Sequence, residues 1–227
     1  MGAKKVAKKT KHQNEKQYSM KRSSLRSWII TIIVMIFVYQ VYIMLGYMLA
    51  ILAKHTGIEL STWQSGYRYG NLLLYSVAIL GWLMSGIMVY KGDKENKSAM
   101  FGGGALIAYG GIGLIWQLLA ILGNMLSINL VPRPLLMTLN IMTALLMCAA
   151  LIFLAIYYRH RTLRNLAIAY TVFQVIFTTF YVIAQFLPFD SGYQLFYSIH
   201  GLVATAAMIV QIIYLFKWAK LLKTIEQ

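Results

Sequence analysis

Five residues in the segment TVFQVIFTTFYVIAQF could do chemistry: Thr171, Gln174, Thr178, Tyr181 and Gln185. They are hydroxyls, amides and a phenol, set at steps of three and four in an otherwise apolar run. On a helix they fall within about 80° of one another. Such groups donate and accept hydrogen bonds, and none of them changes charge near neutral pH. A second set answers them downstream. Tyr197, His200, Gln211 and Tyr214, with Ala204 and Ala207 between them, share an arc of about 100°.

The short turn PFDSGYQ makes the two helices antiparallel neighbours. It sets Gln185 level with Tyr197, Tyr181 with His200 and Thr171 with Gln211. The expected arrangement is hydrogen bonding across this pair, each bond worth ~0.6 to 2 kcal/mol inside a membrane. The alternative is a cavity lined by both sets, joined by Gln117 and Asn124. A cavity built of amides and phenols suits a neutral, amphipathic or lipid-like ligand rather than an ion or a proton.

The other reactive residue types are sparse. Arg159, Arg161 and Arg164 in YRHRTLRN could hold a phosphate or a lipid head group. The same arginines are also accounted for as topology-setting charge. His12, His55, His160 and His200 are scattered, and His55 with His200 is the one pair that could meet. Two histidines make a poor metal or haem site, because such sites want more ligands at recognisable spacing. No metal and no cofactor is therefore expected. The single cysteine, Cys148, excludes disulfides within the chain and CxxC chemistry. No GxSxG, HExxH or carboxylate pair lies in an apolar block, so no catalytic residue is assigned. Asp93 and Glu95 in KGDKENK read as a solvated turn.

The elements that must position these residues are membrane helices. Of 227 residues, 59% are apolar and only 12% charged, about half the charge of a soluble domain. Six apolar blocks stand out: Trp28–Ala53, Leu72–Tyr90, Ala99–Leu122, Leu135–Tyr158, Leu166–Leu187 and Leu195–Phe216. Each has about the 20 residues that a spanning helix needs, and none contains Asp, Glu, Lys or Arg. The fold class expected is all-α, a polytopic membrane protein of six helices. The basic residues alternate with the spans. Eighteen Lys and Arg lie on the side of the N-terminus, the KGDKENK and YRHRTLRN connections and the C-terminus. Three, Lys54, Arg68 and Arg133, lie on the other. The positive-inside rule then makes both termini cytoplasmic in a bacterial-type plasma membrane. The first block is too long for a signal-peptide core and is expected to stay.

Residues 1–27 form a basic tail, expected to be disordered or to lie on anionic lipid. Nucleic acid is not an expected partner, since no aromatic interleaving accompanies the charge. The third span carries FGGGALIAYGGIG. Gly104, Ala108 and Gly111 make one small-residue face, and Ala78, Gly81 and Ser85 make another on the second span. Close packing of those two faces is expected. Three functions stay open. One is binding or transport of a neutral or lipid-like molecule, or service as an accessory subunit. The others are a lipid-directed enzyme working at head-group level and a purely structural partner in a membrane complex. A membrane-protein partner or a second copy of the chain fits any of these.

Overall fold

The computed structural model describes residues 2–56, 61–126, 132–184 and 191–226, and side chains at 22–53, 55–56, 67, 69–123, 125–126, 132, 134–184 and 199–225. These residues fold into six helices: α1 (Gly2–Thr56), α2 (Ser61–Gly92), α3 (Lys97–Leu126), α4 (Arg133–Tyr157), α5 (Arg161–Ala184) and α6 (Ser191–Glu226). No strand occurs among the described residues. Each helix holds a stretch long and apolar enough to cross a membrane: Arg22–Ala53, Tyr69–Gly92, Lys97–Gly123, Pro134–Tyr157, Arg161–Ala184 and Ile199–Ile225. At its C-terminal end α6 departs from the expected block. It continues past Phe216 because Trp218, Ala219 and Leu222 are buried against the bundle.

The helix of α1 reaches back to Gly2, through the tail expected to be disordered or surface-lying. The local reason is composition: Ala3–Trp28 has no Gly or Pro and is rich in Lys, a good helix former. The two tight turns are capped by side chains. Asn96 Oδ1 accepts the N–H groups of Ser98 at 3.0 Å and Ala99 at 3.4 Å and starts α3. His160 Nδ1 accepts the Leu163 N–H at 3.4 Å and starts α5. Both turns lie at the end of the bundle that carries most of the basic residues, called the basic end below.

Packing follows chain order. Each helix lies on the next, from α1 on α2 through α5 on α6, and α6 returns to α1. No other helix pair packs together among the described residues, so the bundle is a closed ring. Packed helices sit about 8–10 Å apart, so a ring of six leaves an axial space roughly one helix wide. Side chains must fill that space or it stays open.

The two halves of the ring solve this differently. Towards the basic end the axis is filled. Ile29 and Ile32 of α1, Trp82 of α2, Leu106 of α3, Leu151 and Leu154 of α4 and Trp218 of α6 form one buried cluster. Tyr214 crosses the axis. Its hydroxyl donates to the Leu151 carbonyl at 3.0 Å, although α6 and α4 do not pack directly. Few buried side chains lie towards the opposite end. The outer surface is apolar, with Met44 and Met48 on α1, Ile115 and Leu118 on α3, and Val172 on α5 all more than half exposed. That is the surface of a protein whose surroundings are apolar.

The glycine faces need a correction. α2 and α3 do pack closely, but through Gly103 and Gly110 rather than Gly104 and Gly111. A Cβ on Gly103 would lie 2.7 Å from Tyr90 N and 2.9 Å from Gly86 O. A Cβ on Gly110 would lie 2.9 Å from Leu83 Cα. A Cβ on Gly104 or Gly111 would meet nothing within 4 Å. The expected face is one residue, or about 100°, out of register. It lies on the outward side of α3, in line with Ile115, Leu118 and Leu122. On α2, Gly81 makes room for Ile32 of α1 rather than for α3.

Candidate functional site

The unfilled part of the ring is a cavity of about 360 Å³, running from mid-bundle towards the end opposite the basic one. Five of the six helices line it. α5 contributes Tyr170, Gln174, Phe177, Thr178 and Tyr181, four of them polar at helical spacing. α6 contributes Gln211. α3 contributes Tyr109, Ile112, Gly113, Trp116 and Gln117, spaced so that one face of the helix turns inward. α4 adds Leu139, Asn140, Thr143, Ala144 and Met147, again one face. α2 closes the wall with Tyr75 and Ile79. No lining residue carries a charge at neutral pH.

The expected pairs across α5 and α6 are placed as follows. Gln185 lies outside the described residues, and so does the side chain of Tyr197. Tyr181 and His200 meet as rings with centroids 6.2 Å apart, and His200 stacks on Phe177 at 4.3 Å. The Tyr181 hydroxyl takes its hydrogen bond from Asn140 Nδ2 of α4, at 3.1 Å. Thr171 does not reach Gln211. Its hydroxyl donates back to the Ala167 carbonyl at 2.8 Å, inside its own helix. So Gln174, Thr178, Tyr181 and Gln211 lie on the cavity wall, while Thr171 and His200 lie outside it. Tyr214 belongs to the axial filling on the basic side.

Gln117 is the buried polar member of the wall whose amide oxygen lacks a partner among the described residues. It is only 5% exposed. An unpaired buried amide oxygen costs about 1–3 kcal/mol. Such a group calls for a partner, and a ligand or water in the cavity beside it would be one. Thr143 is different, because its hydroxyl donates to the Leu139 carbonyl at 2.9 Å.

Sequence reasoning missed Tyr75, Tyr109, Trp116, Asn140 and Thr143. The signal for four of them was there. Tyr109, Trp116 and Gln117 share a face of α3, beside the stronger small-residue pattern of the neighbouring glycines. Asn140 and Thr143, one turn apart in an apolar block, make the same kind of stripe as the one on α5. Tyr75 had no such signal.

The arginines lie at the other end. Arg159, Arg161 and Arg164, with His160, Ala155 and Ile156, line a second cavity of about 310 Å³ at the α4–α5 turn. His55 is exposed near the end of α1. Asn124 is within α3, but its side chain is not among those described. Compared with known proteins, the chain matches no protein family, no curated protein and no solved structure.

Proposed function

We propose that the protein is a six-span plasma-membrane protein with cytoplasmic termini that binds a small neutral molecule in its axial cavity, either to carry it or to serve a larger membrane complex. In this orientation the cavity opens towards the outer face and the aromatic filling seals the cytoplasmic half. The observation that supports this reading is Gln117. A buried amide oxygen with no partner among the described residues, on a wall of hydroxyls, amides and phenols, suits a ligand that brings a hydrogen-bond donor. The lining groups bind and orient, and no carboxylate, histidine or lysine is among them, which favours binding over acid–base catalysis. The apolar rings of Tyr109, Trp116, Tyr170 and Phe177 would hold the body of an amphipathic ligand.

The test uses protein extracted from its own membrane in mild detergent, with released small molecules measured by mass spectrometry. Wild type should release one neutral compound at near-stoichiometric amount. Ala144→Phe, which fills part of the cavity, should lower it about tenfold or more, with the thermal melt unchanged or raised. Gln117→Leu removes the unpaired oxygen, so it should also fold well yet retain less ligand. Equal release from all three proteins, or no released compound at all, would refute the proposal.

A further inference from the structure

The α4–α5 turn joins two helices through Tyr158, Arg159 and His160, with Arg159 in the left-handed region at φ 50°. This tight reversal gathers Arg159, Arg161 and Arg164 around one concavity, floored by Ala155 and Ile156. None of the three guanidinium groups has an ion-pair partner among the described residues. The whole chain has only six carboxylate side chains, so little could neutralise them. The first N–H groups of α5 end in the same place and add positive potential there. Arginine forks match phosphate oxygens in pairs.

A free phosphate would need nothing more. This site continues. From Arg164 the outward face of α5 runs through Ile168, Val172 and Val175, each more than half exposed, and Ile156 stands exposed beside the turn. A charged pocket at the end of an apolar strip has the shape of a phospholipid. We propose that this pocket holds the phosphate of an anionic phospholipid, with an acyl chain along Ile168, Val172 and Val175. This site is separate from the axial cavity and does not depend on its reading.

The test must separate a built site from the general attraction of a basic surface. Delipidated protein in detergent is titrated with phosphatidylglycerol, with phosphatidylcholine and with inorganic phosphate, and bound lipid is counted by native mass spectrometry. Arg159→Gln, Arg161→Gln and Arg164→Gln are combined in one variant. Lys217→Gln, Lys220→Gln and Lys223→Gln are combined in another, which removes the same charge nearby. Phosphatidylglycerol should bind wild type and the lysine variant alike, and the arginine variant about tenfold or more weakly, a difference that diffuse attraction would not produce because both variants lose the same charge. A third variant replaces the three arginines by lysine. It keeps the charge and the fold, and should bind severalfold more weakly because an ammonium lacks the fork. Equal loss in the arginine and lysine variants overturns the proposal, and so does full binding by the arginine-to-lysine variant. Binding of phosphatidylcholine as tight as phosphatidylglycerol overturns it too. Saturation by inorganic phosphate that blocks no lipid would replace it with a free-anion site.

Discussion

Replacing Gly103 by alanine tests the ring at its tightest point. The added Cβ would sit 2.7 Å from Tyr90 N, 2.9 Å from Gly86 O and 3.0 Å from Tyr90 Cα. An ordinary contact of this kind is about 3.5–4.0 Å. All three neighbours are backbone atoms, so no rotamer change can relieve the clash. α2 and α3 must move apart by roughly half an ångström to one ångström, and such overpacking costs about 1–3 kcal/mol. Alanine returns up to about 1 kcal/mol through its better helix propensity. The expected net loss is about 1–2 kcal/mol. The same change at Gly104, one residue on, meets nothing within 4 Å. There the propensity gain stands alone, and Gly104→Ala should be neutral or more stable by about 0.5–1 kcal/mol. The pair therefore differs in sign. Helicity followed through detergent unfolding reads both. Gly103→Ala as stable as wild type, or Gly104→Ala as damaging as Gly103→Ala, would refute this account of how α2 meets α3.

Three further outcomes are expected. Tyr214→Phe removes the hydroxyl that crosses the axis to the Leu151 carbonyl and should cost about 0.5–2 kcal/mol by the same unfolding assay, with ligand retention unchanged. A double-mutant cycle on Asn140→Leu and Tyr181→Phe should show coupling of about 0.6 kcal/mol, the average for hydrogen bonds between membrane helices, and a cycle on Thr171→Val and Gln211→Leu should show none. In a Cys148→Ala background, a cysteine at Thr56 should react with an impermeant thiol reagent on intact cells and one at Glu95 should not. Labelling at Glu95 would reverse the orientation.

The six helices were legible because each had to satisfy one local condition, about twenty apolar residues in a row. The connections were legible for a similar reason, since charge cannot stay in the spans. The register of a helix face is a finer matter. FGGGALIAYGGIG offers Gly102, Gly103 and Gly104, and each starts a small-residue face pointing a different way. Gly102 faces Leu154 of α4, Gly103 faces α2, and Gly104 faces outward. A periodic pattern alone cannot choose among them. The choice is made by larger neighbours such as Leu106 and Leu83, whose side chains must point inward or sideways.

The cavity was less legible, and the reason is geometric. Two polar stripes on successive antiparallel helices can face each other or face a common space, and their spacing is the same in both cases. What separates the cases is the return of α6 to α1, a contact between the two ends of the chain. Once that ring closes, six helices enclose more axial space than their side chains fill unless large residues are supplied. Trp82, Tyr214 and Trp218 supply them in the basic half. Beside the rings of Tyr109, Trp116 and Phe177, the wall at Gln174, Thr178 and Gln211 presents side chains no larger than an amide, and at Gly113 and Ala144 smaller still, so space is left. The α5 stripe borders that space: Gln174, Thr178 and Tyr181 line the wall, Tyr181 also bonds to Asn140 of α4 and touches the His200 ring of α6, and Thr171 turns back to its own helix.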